Sequence, residues 1–195
     1  MIYIGIIAII LLFGVYKFCE YLEDKHWHEK NPTPKNFQFK WKGQNYWYSR
    51  ACAVSLFLLA KNEQGQYCVL ANKRGENTPN YKGLWNCPCG YLDFNENSFQ
   101  AAQRECMEET NVFIPVNRIE LWDVDTNPDK DNQNVTIHHV AILDNRYTTE
   151  FYLSNKNSKN NEVDAVKWIP LQDVELYDWA FDHYSIIKAI ESNKI

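Results

Sequence analysis

The segment 98–110 constrains the fold of this chain more than any other part of the sequence. Its apolar residues Phe99, Ala102 and Cys106 recur at the three- and four-residue spacing of an α-helix. A stripe of this kind covers one side of a helix and needs an apolar partner. The segment is therefore predicted to be a helix that packs against a sheet.

Three carboxylates lie on the other side of this predicted helix. Glu105, Glu108 and Glu109 occupy positions i, i+3 and i+4, and at a rise of about 1.5 Å per residue they span about 6 Å along the axis. Like charges at this spacing destabilise a helix, so another group must offset them. Arg104 can do part of this, and a hard divalent cation with oxygen ligands can do more. A solvated acidic face is the alternative for the three glutamates taken alone.

Asparagine residues mark both ends of the predicted helix. Asn95 or Asn97 can cap its start, because the side-chain oxygen accepts hydrogen bonds from the first backbone N–H groups. Asn111 stands where a residue in the left-handed conformation would end the helix. Local chemistry therefore predicts both boundaries.

The rest of the sequence predicts an α/β (α+β) domain. Aromatic and β-branched residues are dense in 46–60, a Gln-Gly turn precedes a strand at 67–71, and a loop follows at 72–84. Further predicted elements are strands near 119–124, 135–143, 147–153 and 163–169, a polar loop at 154–161, and a final helix near 184–192. Strands with interspersed helices are typical of a sheet covered by helices.

The N-terminal part of the chain predicts an anchor and a linker. Residues 1–22 are apolar enough for a transmembrane or signal-anchor helix, which takes about 20 apolar residues. A cleaved signal peptide is the alternative, but the segment has no basic start and no small-residue cleavage site. Residues 23–36 form a predicted polar linker, and 37–195 the predicted folded domain.

Composition argues against several classes of protein. The formal net charge of −5 provides no basic field to gather a nucleic-acid polymer. The six cysteines include several in apolar runs, so most are expected to be small buried thiols in a reducing compartment. Cys87-Pro88-Cys89 has no second Cys or His pair at ligand spacing, so it does not predict a zinc site.

Residues 90–112 resemble the Nudix box, whose pattern is G-x5-E-x7-R-E-U-x-E-E-x-G-U with U apolar. The matching residues are Gly90, Glu96, Arg104, Glu105, Cys106, Glu108, Glu109 and Val112. Asn111 replaces the last glycine, and asparagine is the next-best residue for a left-handed backbone. The resemblance covers roughly residues 40–192 and implies a Nudix-type α/β/α sandwich with a mixed sheet, preceded here by the N-terminal hydrophobic helix.

The resemblance implies a metal-dependent pyrophosphohydrolase. Mg²⁺, or Mn²⁺, would be held by Glu105, Glu108 and Glu109 together with the carbonyl group of Gly90. Glu105 is the implied base or water-orienting group, and Arg104 would hold its carboxylate in place. The implied reaction is hydrolysis of a diphosphate bond in a nucleoside diphosphate linked to another group, as in a nucleotide sugar, a dinucleotide or a nucleoside triphosphate.

Supporting roles follow from the same resemblance. Glu96 is expected to pair with Arg104 or to support the metal shell, and Glu150 and Glu162 are alternative general bases on later loops. Arg74 follows a predicted strand and can contact phosphate, although a surface arginine at a strand end is the alternative.

Aromatic side chains are candidates for contact with a nucleobase. Tyr48, Trp85, Tyr91 and Trp122 can stack on a base, as aromatic platforms do. Aromatic residues make up 15% of the chain, so most of these rings are expected to be core.

A second acidic run resembles the start of an EF-hand calcium loop, with Asp123, Asp125, Asn127 and Asp129 at alternate positions. Pro128 replaces the sixth-position glycine and Asn134 replaces the twelfth-position glutamate. The turn and the bidentate ligand are both missing, so an acidic loop beside the active site is the preferred interpretation.

Two functional hypotheses remain at this point. The first is an enzyme that acts on a small-molecule nucleotide, is anchored in a membrane by its N-terminal helix, and faces the cytoplasm. The second is a Nudix-fold sensor that binds a nucleotide without turnover. Every acidic and basic position of the box is intact, which favours the enzyme.

Overall fold

The computed structural model describes residues 36–127, 134–143 and 162–195. The chain divides into two compact units, 1–50 and 51–195. Several predicted features lie outside the described residues, namely the hydrophobic helix at 1–22, the linker up to residue 35, the strand at 147–153 and the loop at 154–161.

The predicted location, a single-pass protein anchored in a membrane with a cytoplasmic catalytic domain, is wrong. No helix in the described part of the chain is long and apolar enough to cross a membrane. The two α-helices found there have 13 and 12 residues, whereas a spanning helix needs about 20. The segment 1–22, on which the prediction was based, is outside the described residues.

A β-hairpin forms the described part of the first unit. Strand β1 (Phe37–Trp41) pairs antiparallel with β2 (Gln44–Tyr48). The two connecting residues, Lys42 and Gly43, both have positive φ, as the tight hairpin turns require. Aromatic rings face one another across the strands, so cross-strand stacking stabilises the pair.

A mixed sheet forms the centre of the second unit. Its strands in the described residues are β3 (Cys52–Lys61), β4 (Tyr67–Arg74), β5 (Trp85–Asn86), β6 (Cys89–Tyr91), β7 (Glu120–Asp125), β8 (Val135–Leu143) and β9 (Val163–Pro170). The order is β5-β4-β3-β8-β7, with β6 also paired to β3 and β9 to β4. Strands β3 and β8 run parallel, and the other pairs are antiparallel.

Helices cover both faces of this sheet. Helix α1 (Ser98–Thr110) packs on one face and α2 (His183–Lys194) on the other, and short 3₁₀ helices span Val116–Arg118 and Leu171–Leu176. Alternate residues of β3 enter opposite cores: Leu56 faces α1, and Phe57 faces α2. The predicted α/β domain with a mixed sheet is confirmed.

The ends of α1 follow the local chemistry that the sequence predicts. The Asn97 side chain accepts hydrogen bonds from the backbone N–H groups of Phe99 and Gln100, and the Gln100 side chain accepts from the Asn97 N–H. Asn97, rather than Asn95, is therefore the cap, in a reciprocal capping box. Asn111 ends the helix in the left-handed conformation, with φ 58° and ψ 22°.

Strands β3 and β4 diverge, and the short strands β5 and β6 pair with their separated ends. Strands β3 and β4 pair only at their adjoining ends, Leu59–Lys61 with Tyr67–Val69. Beyond that point β5 pairs with β4 and β6 pairs with β3. The chain between β5 and β6 therefore lies where the sheet opens, below the C-terminal half of α1.

Asn111 provides a test of helix termination. Asn111→Ala should lower the free energy of unfolding by about 1 kcal/mol, because alanine lacks the short polar side chain that lets asparagine adopt the left-handed conformation at modest cost. Asn111→Gly should change it by less than about 0.5 kcal/mol, since glycine adopts this conformation readily. Urea unfolding measures both; equal destabilisation by the two variants would contradict this explanation.

Candidate active site

The backbone of Gly90 leaves no room for a side chain beside Glu105. A Cβ added to Gly90 would lie 2.1 Å from Oε1 and 2.3 Å from Cδ of Glu105. No side chain fits at these distances, so the carboxylate lies directly against the backbone of β6. Gly90 is held by pairing opposite Val54 on β3, and Glu105 by the packing of α1. The box glycine is therefore required by this contact.

Arg104 organises the acidic groups at the start of the site. Its Nε and Nη2 donate to the two oxygens of Glu96 at 3.1 and 2.7 Å, which is a bidentate pair. Its Nη1 donates to Glu105 Oε1 at 2.7 Å, and Nη2 also donates to the Tyr91 carbonyl at 3.0 Å. These bonds lower the pKa of Glu96 and raise that of Arg104. The predicted pairing of Glu96 with Arg104 is present.

Glu109 is the most strongly perturbed carboxyl group of the site. Burial raises the pKa of Glu109 to about 8, against the opposing effect of the hydrogen bond that its Oε2 accepts from the Cys89 N–H at 3.0 Å. The negative charge of Glu105 raises it further. Burial also raises the pKa of Glu105, although Arg104 opposes this. Both carboxyl groups are costly to ionise in this environment.

Glu108 lies on the solvent side of the cluster. Its side chain is 62% exposed, and its Oε2 is 3.6 Å from Nη1 of Arg104. Glu105, by contrast, is 13% exposed. Of the three box glutamates, Glu105 and Glu109 are therefore half-buried and Glu108 is exposed.

These residues fit a hard divalent ion. Glu105 and Glu109 contact the same short strand, at Gly90 and Cys89 respectively, and supply carboxylate oxygens close to backbone carbonyl groups. Burial is the main cause of the raised pKa values of these two carboxyl groups, and the negative charges of the neighbouring carboxylates raise them further. An ion with oxygen ligands would offset that charge, and all-oxygen coordination is what Mg²⁺ prefers.

Arg74 is not the surface arginine of the alternative interpretation. It is 7% exposed, at the end of β4, and its guanidinium donates to the carbonyl and side-chain oxygens of Asn80 at 3.0 and 3.1 Å. The guanidinium also lies over the Phe181 ring, 5.1 Å from its centroid. Its positive charge lowers the pKa of Glu109. Arg74 therefore lies within electrostatic range of the box.

The four aromatic candidates lie in different parts of the structure. Trp85 packs into the core on the α2 face, in an edge contact with Tyr177 at 5.5 Å. Trp122 packs against the same core. Tyr48 lies in the hairpin of the first unit, where its ring stacks on Phe37. Tyr91 follows Gly90 directly and is 56% exposed, so it is the ring that adjoins the box.

Of the two alternative general bases, Glu150 and Glu162, the structure describes only Glu162. Glu150 lies outside the described residues. Glu162 is exposed at the start of β9, and its charge raises the pKa of Glu109. Its backbone carbonyl accepts a hydrogen bond from the Gly75 N–H at 2.8 Å. Tertiary structure therefore brings the charge of Glu162 within electrostatic range of Glu109, although Glu162 stands 53 positions later in the sequence.

The family model of the NUDIX domain matches residues 50–190. The chain belongs to the Nudix family. The match covers the second compact unit almost completely and includes each box residue described above. The prediction of a Nudix-type pyrophosphohydrolase is thereby confirmed, and members of this family generally use divalent metal ions.

Solved structures agree with this assignment. The NUDIX domain of Shewanella oneidensis NrtR, solved with ADP-ribose, is 28% identical with a TM-score of 0.62, covering 76% of this chain and 90% of that one. NrtR solved with a 27mer DNA is 29% identical with a TM-score of 0.56, covering 72% and 60%. A mutT/nudix family protein from Listeria innocua is 25% identical with a TM-score of 0.55, covering 74% and 94%. No curated protein sequence matches the chain.

Gly90→Ala tests the contact with Glu105. The new Cβ must displace the carboxylate, so the affinity for Mn²⁺, measured by isothermal titration calorimetry, should fall by about tenfold or more. Gly83→Ala is the matched control, because a Cβ there has nothing within 4 Å and only backbone strain is added. Equal Mn²⁺ affinities of Gly90→Ala and wild type would contradict the role of Gly90.

The raised pKa of Glu109 predicts that the stability of the metal-free protein depends on pH. Its folded pKa of about 8 exceeds the ordinary value of 4.5. The unfolded chain therefore loses this proton first, and the metal-free fold loses stability as pH rises from 4.5 through 8. Glu109→Gln removes this loss, so its melting temperature in EDTA should exceed that of wild type at pH 8.5 and approach it at pH 5. A constant difference between pH 5 and 8.5 would contradict the burial of this carboxyl group.

Proposed function

We propose that this Nudix protein hydrolyses the diphosphate bond of a nucleoside diphosphate linked to another group, with a divalent metal ion as cofactor. The observation that carries the proposal is the convergence of Glu105 and Glu109 on the short strand that contains Gly90. Two half-buried carboxylates beside the backbone of a short strand are suited to a cation that also binds phosphate oxygens.

The metal site is proposed to use the oxygens of Glu105, Glu108 and Glu109 and the carbonyl group of Gly90. Mg²⁺ is the expected ion, and Mn²⁺ is an alternative of similar ligand preference. Such an ion, when bound, supplies positive charge that offsets the diphosphate and activates water.

Glu105 is proposed to orient the attacking water and to accept its proton. The water oxygen forms a bond to one phosphorus, the bridging P–O bond breaks, and the second phosphate leaves with the bonding electrons. Arg104 holds Glu105 through the 2.7 Å bond to Oε1, which leaves Oε2 available. Glu96 in turn fixes Arg104 through two bonds, so it supports the geometry without contacting the reacting atoms.

Glu162 is the alternative for the general base. It is exposed and close enough to influence the ionisation of Glu109. Its backbone is held near the end of β4 by the hydrogen bond from the Gly75 N–H to its carbonyl group. Glu162→Gln distinguishes the two assignments, since it should leave the maximal rate within about a factor of ten if Glu105 is the base, and lower it by about 10²–10⁴ if Glu162 is.

ADP-ribose is the first substrate to test. It is a nucleoside diphosphate linked to a sugar, and it is the ligand of the NrtR domain that resembles this chain at 28% identity. Arg74 is proposed to contact a phosphate of such a substrate, because its charge lowers the pKa of Glu109 and Asn80 holds its guanidinium in place. Tyr91 is proposed to contact the base or sugar from its exposed position beside Gly90.

Nucleotide binding without turnover is the second candidate function. The observation in its favour is the similarity to NrtR, which was solved both with ADP-ribose and with DNA. The intact set of box carboxylates favours turnover, since a protein that only binds has no need for a buried base beside Arg104.

Product analysis of the purified full chain tests the proposal. The protein is incubated with Mg²⁺ and ADP-ribose, a dinucleoside polyphosphate or a nucleoside triphosphate, and phosphate-containing products are separated by chromatography. Wild type should hydrolyse at least one of these, and Glu109→Gln should lower kcat by about 10²-fold or more, because a metal ligand is lost.

Glu63→Gln is the matched control. It makes the same chemical change at an exposed turn between β3 and β4 and should retain wild-type turnover. Equal turnover by wild type and Glu109→Gln, or none by wild type on any substrate, would overturn the proposed mechanism. Binding of ADP-ribose by a wild-type protein that never turns it over would support the second candidate instead.

A further inference from the structure

A second group of metal-ligating side chains lies apart from the box residues. Asp125 at the end of β7, His138 on β8 and Asp182 at the start of α2 each offer one ligand atom, and these atoms lie within 4.8 Å of one another. The three residues come from three separate elements. We name this group the Asp-His-Asp cluster.

A buried serine fixes the histidine of the cluster. Ser55 is fully buried on β3, and its Oγ lies 2.7 Å from Nδ1 of His138, which is itself 3% exposed. The residues on either side of Ser55, Val54 and Leu56, are both fully buried and apolar. A hydroxyl that holds one ring nitrogen of a buried histidine sets the direction of the other, which is a recurrent arrangement around metal-binding histidines.

Asp182 stands at the N-cap position of α2. Aspartate at an N-cap normally accepts hydrogen bonds from the first N–H groups of its helix. Within the described residues, which include all of α2, the Asp182 side chain makes no such capping bond. Its carboxylate belongs instead to the Asp-His-Asp cluster.

Charge favours a cation at this position. Two carboxylates and one imidazole carry a net negative charge whether the ring is neutral or protonated, and the whole chain is also negative, at −5. A divalent ion with neutral imidazole would bring the group to neutrality. Ligand bonds of about 2.0–2.2 Å allow two donors to lie up to about 4.2 Å apart, so small side-chain movements close the site.

We propose that the Asp-His-Asp cluster binds one divalent transition-metal ion of the Zn²⁺, Mn²⁺ or Co²⁺ class. The ligands would be one imidazole nitrogen and one or two oxygens from each carboxylate. Imidazole suits transition metals, whereas an all-oxygen box suits Mg²⁺. The ion would link β7, β8 and the start of α2. An ion-paired Asp-His-Asp group without metal is the competing interpretation.

Cobalt binding in a protein with a disabled box tests the proposal. Full-length protein carrying Glu108→Gln and Glu109→Gln is titrated with Co²⁺ and followed by calorimetry and absorption. One equivalent should still bind, without the near-ultraviolet thiolate band that coordination by cysteine would produce. Adding Asp182→Asn, which preserves side-chain size, should weaken binding by about tenfold or more.

Two further variants make the outcome decisive. Asp125→Asn in the same background should weaken Co²⁺ binding as Asp182→Asn does, although it does not alter the start of α2. Asp178→Asn, an exposed residue outside the cluster, should leave Co²⁺ binding unchanged. Absence of Co²⁺ binding with the disabled box, a thiolate band, or unchanged binding in both cluster variants would overturn the proposal. Because the readout is binding, none of these results depends on turnover at the box.

Discussion

The site depends on the contact between the Glu105 carboxylate and the bare backbone of Gly90. A helix on one side and a short strand on the other approach so closely that a Cβ would overlap the carboxylate at 2.1 Å. The pairing of β6 with β3 and the packing of α1 on the sheet both determine this distance. The packing of the core and the opening of the sheet together place the carboxylates of α1 against β6 (Cys89–Tyr91).

The negative charges that this geometry brings together are stabilised in two different ways. Arg104 binds Glu96 with two hydrogen bonds and Glu105 with one, so those carboxylates have a fixed cation beside them. In the described part of the chain, the groups that favour the charged form of Glu109 are the Cys89 N–H and the charge of Arg74, and burial outweighs them and raises the pKa of Glu109 to about 8. In the metal-free protein, Arg104 therefore compensates the charges of Glu96 and Glu105, whereas no comparable cation lies beside Glu109 among the described residues. A divalent ion would contribute most at Glu109.

Local chemistry explains which predictions are confirmed. The helix, its cap at Asn97 and its left-handed end at Asn111 involve only residues within a few positions of one another. Long-range strand pairing explains the elements that the sequence pattern did not predict. Strand β4 continues three residues beyond its predicted end because β5 and β9 pair with it, and β5 and β6 are too short to have a pattern of their own. The membrane location rested on apolar character alone and is contradicted.

The sequence by itself determined the box, because each of its residues has a fixed spacing along one helix and one loop. It also determined the family and the α/β class. Only the tertiary structure decided that Arg74 is buried near the box, that Trp85 belongs to the core, and that His138 meets Ser55 and two aspartates. The physical reason is separation: His138 stands 83 positions after Ser55, and no periodicity in the sequence encodes a contact that parallel strand pairing creates.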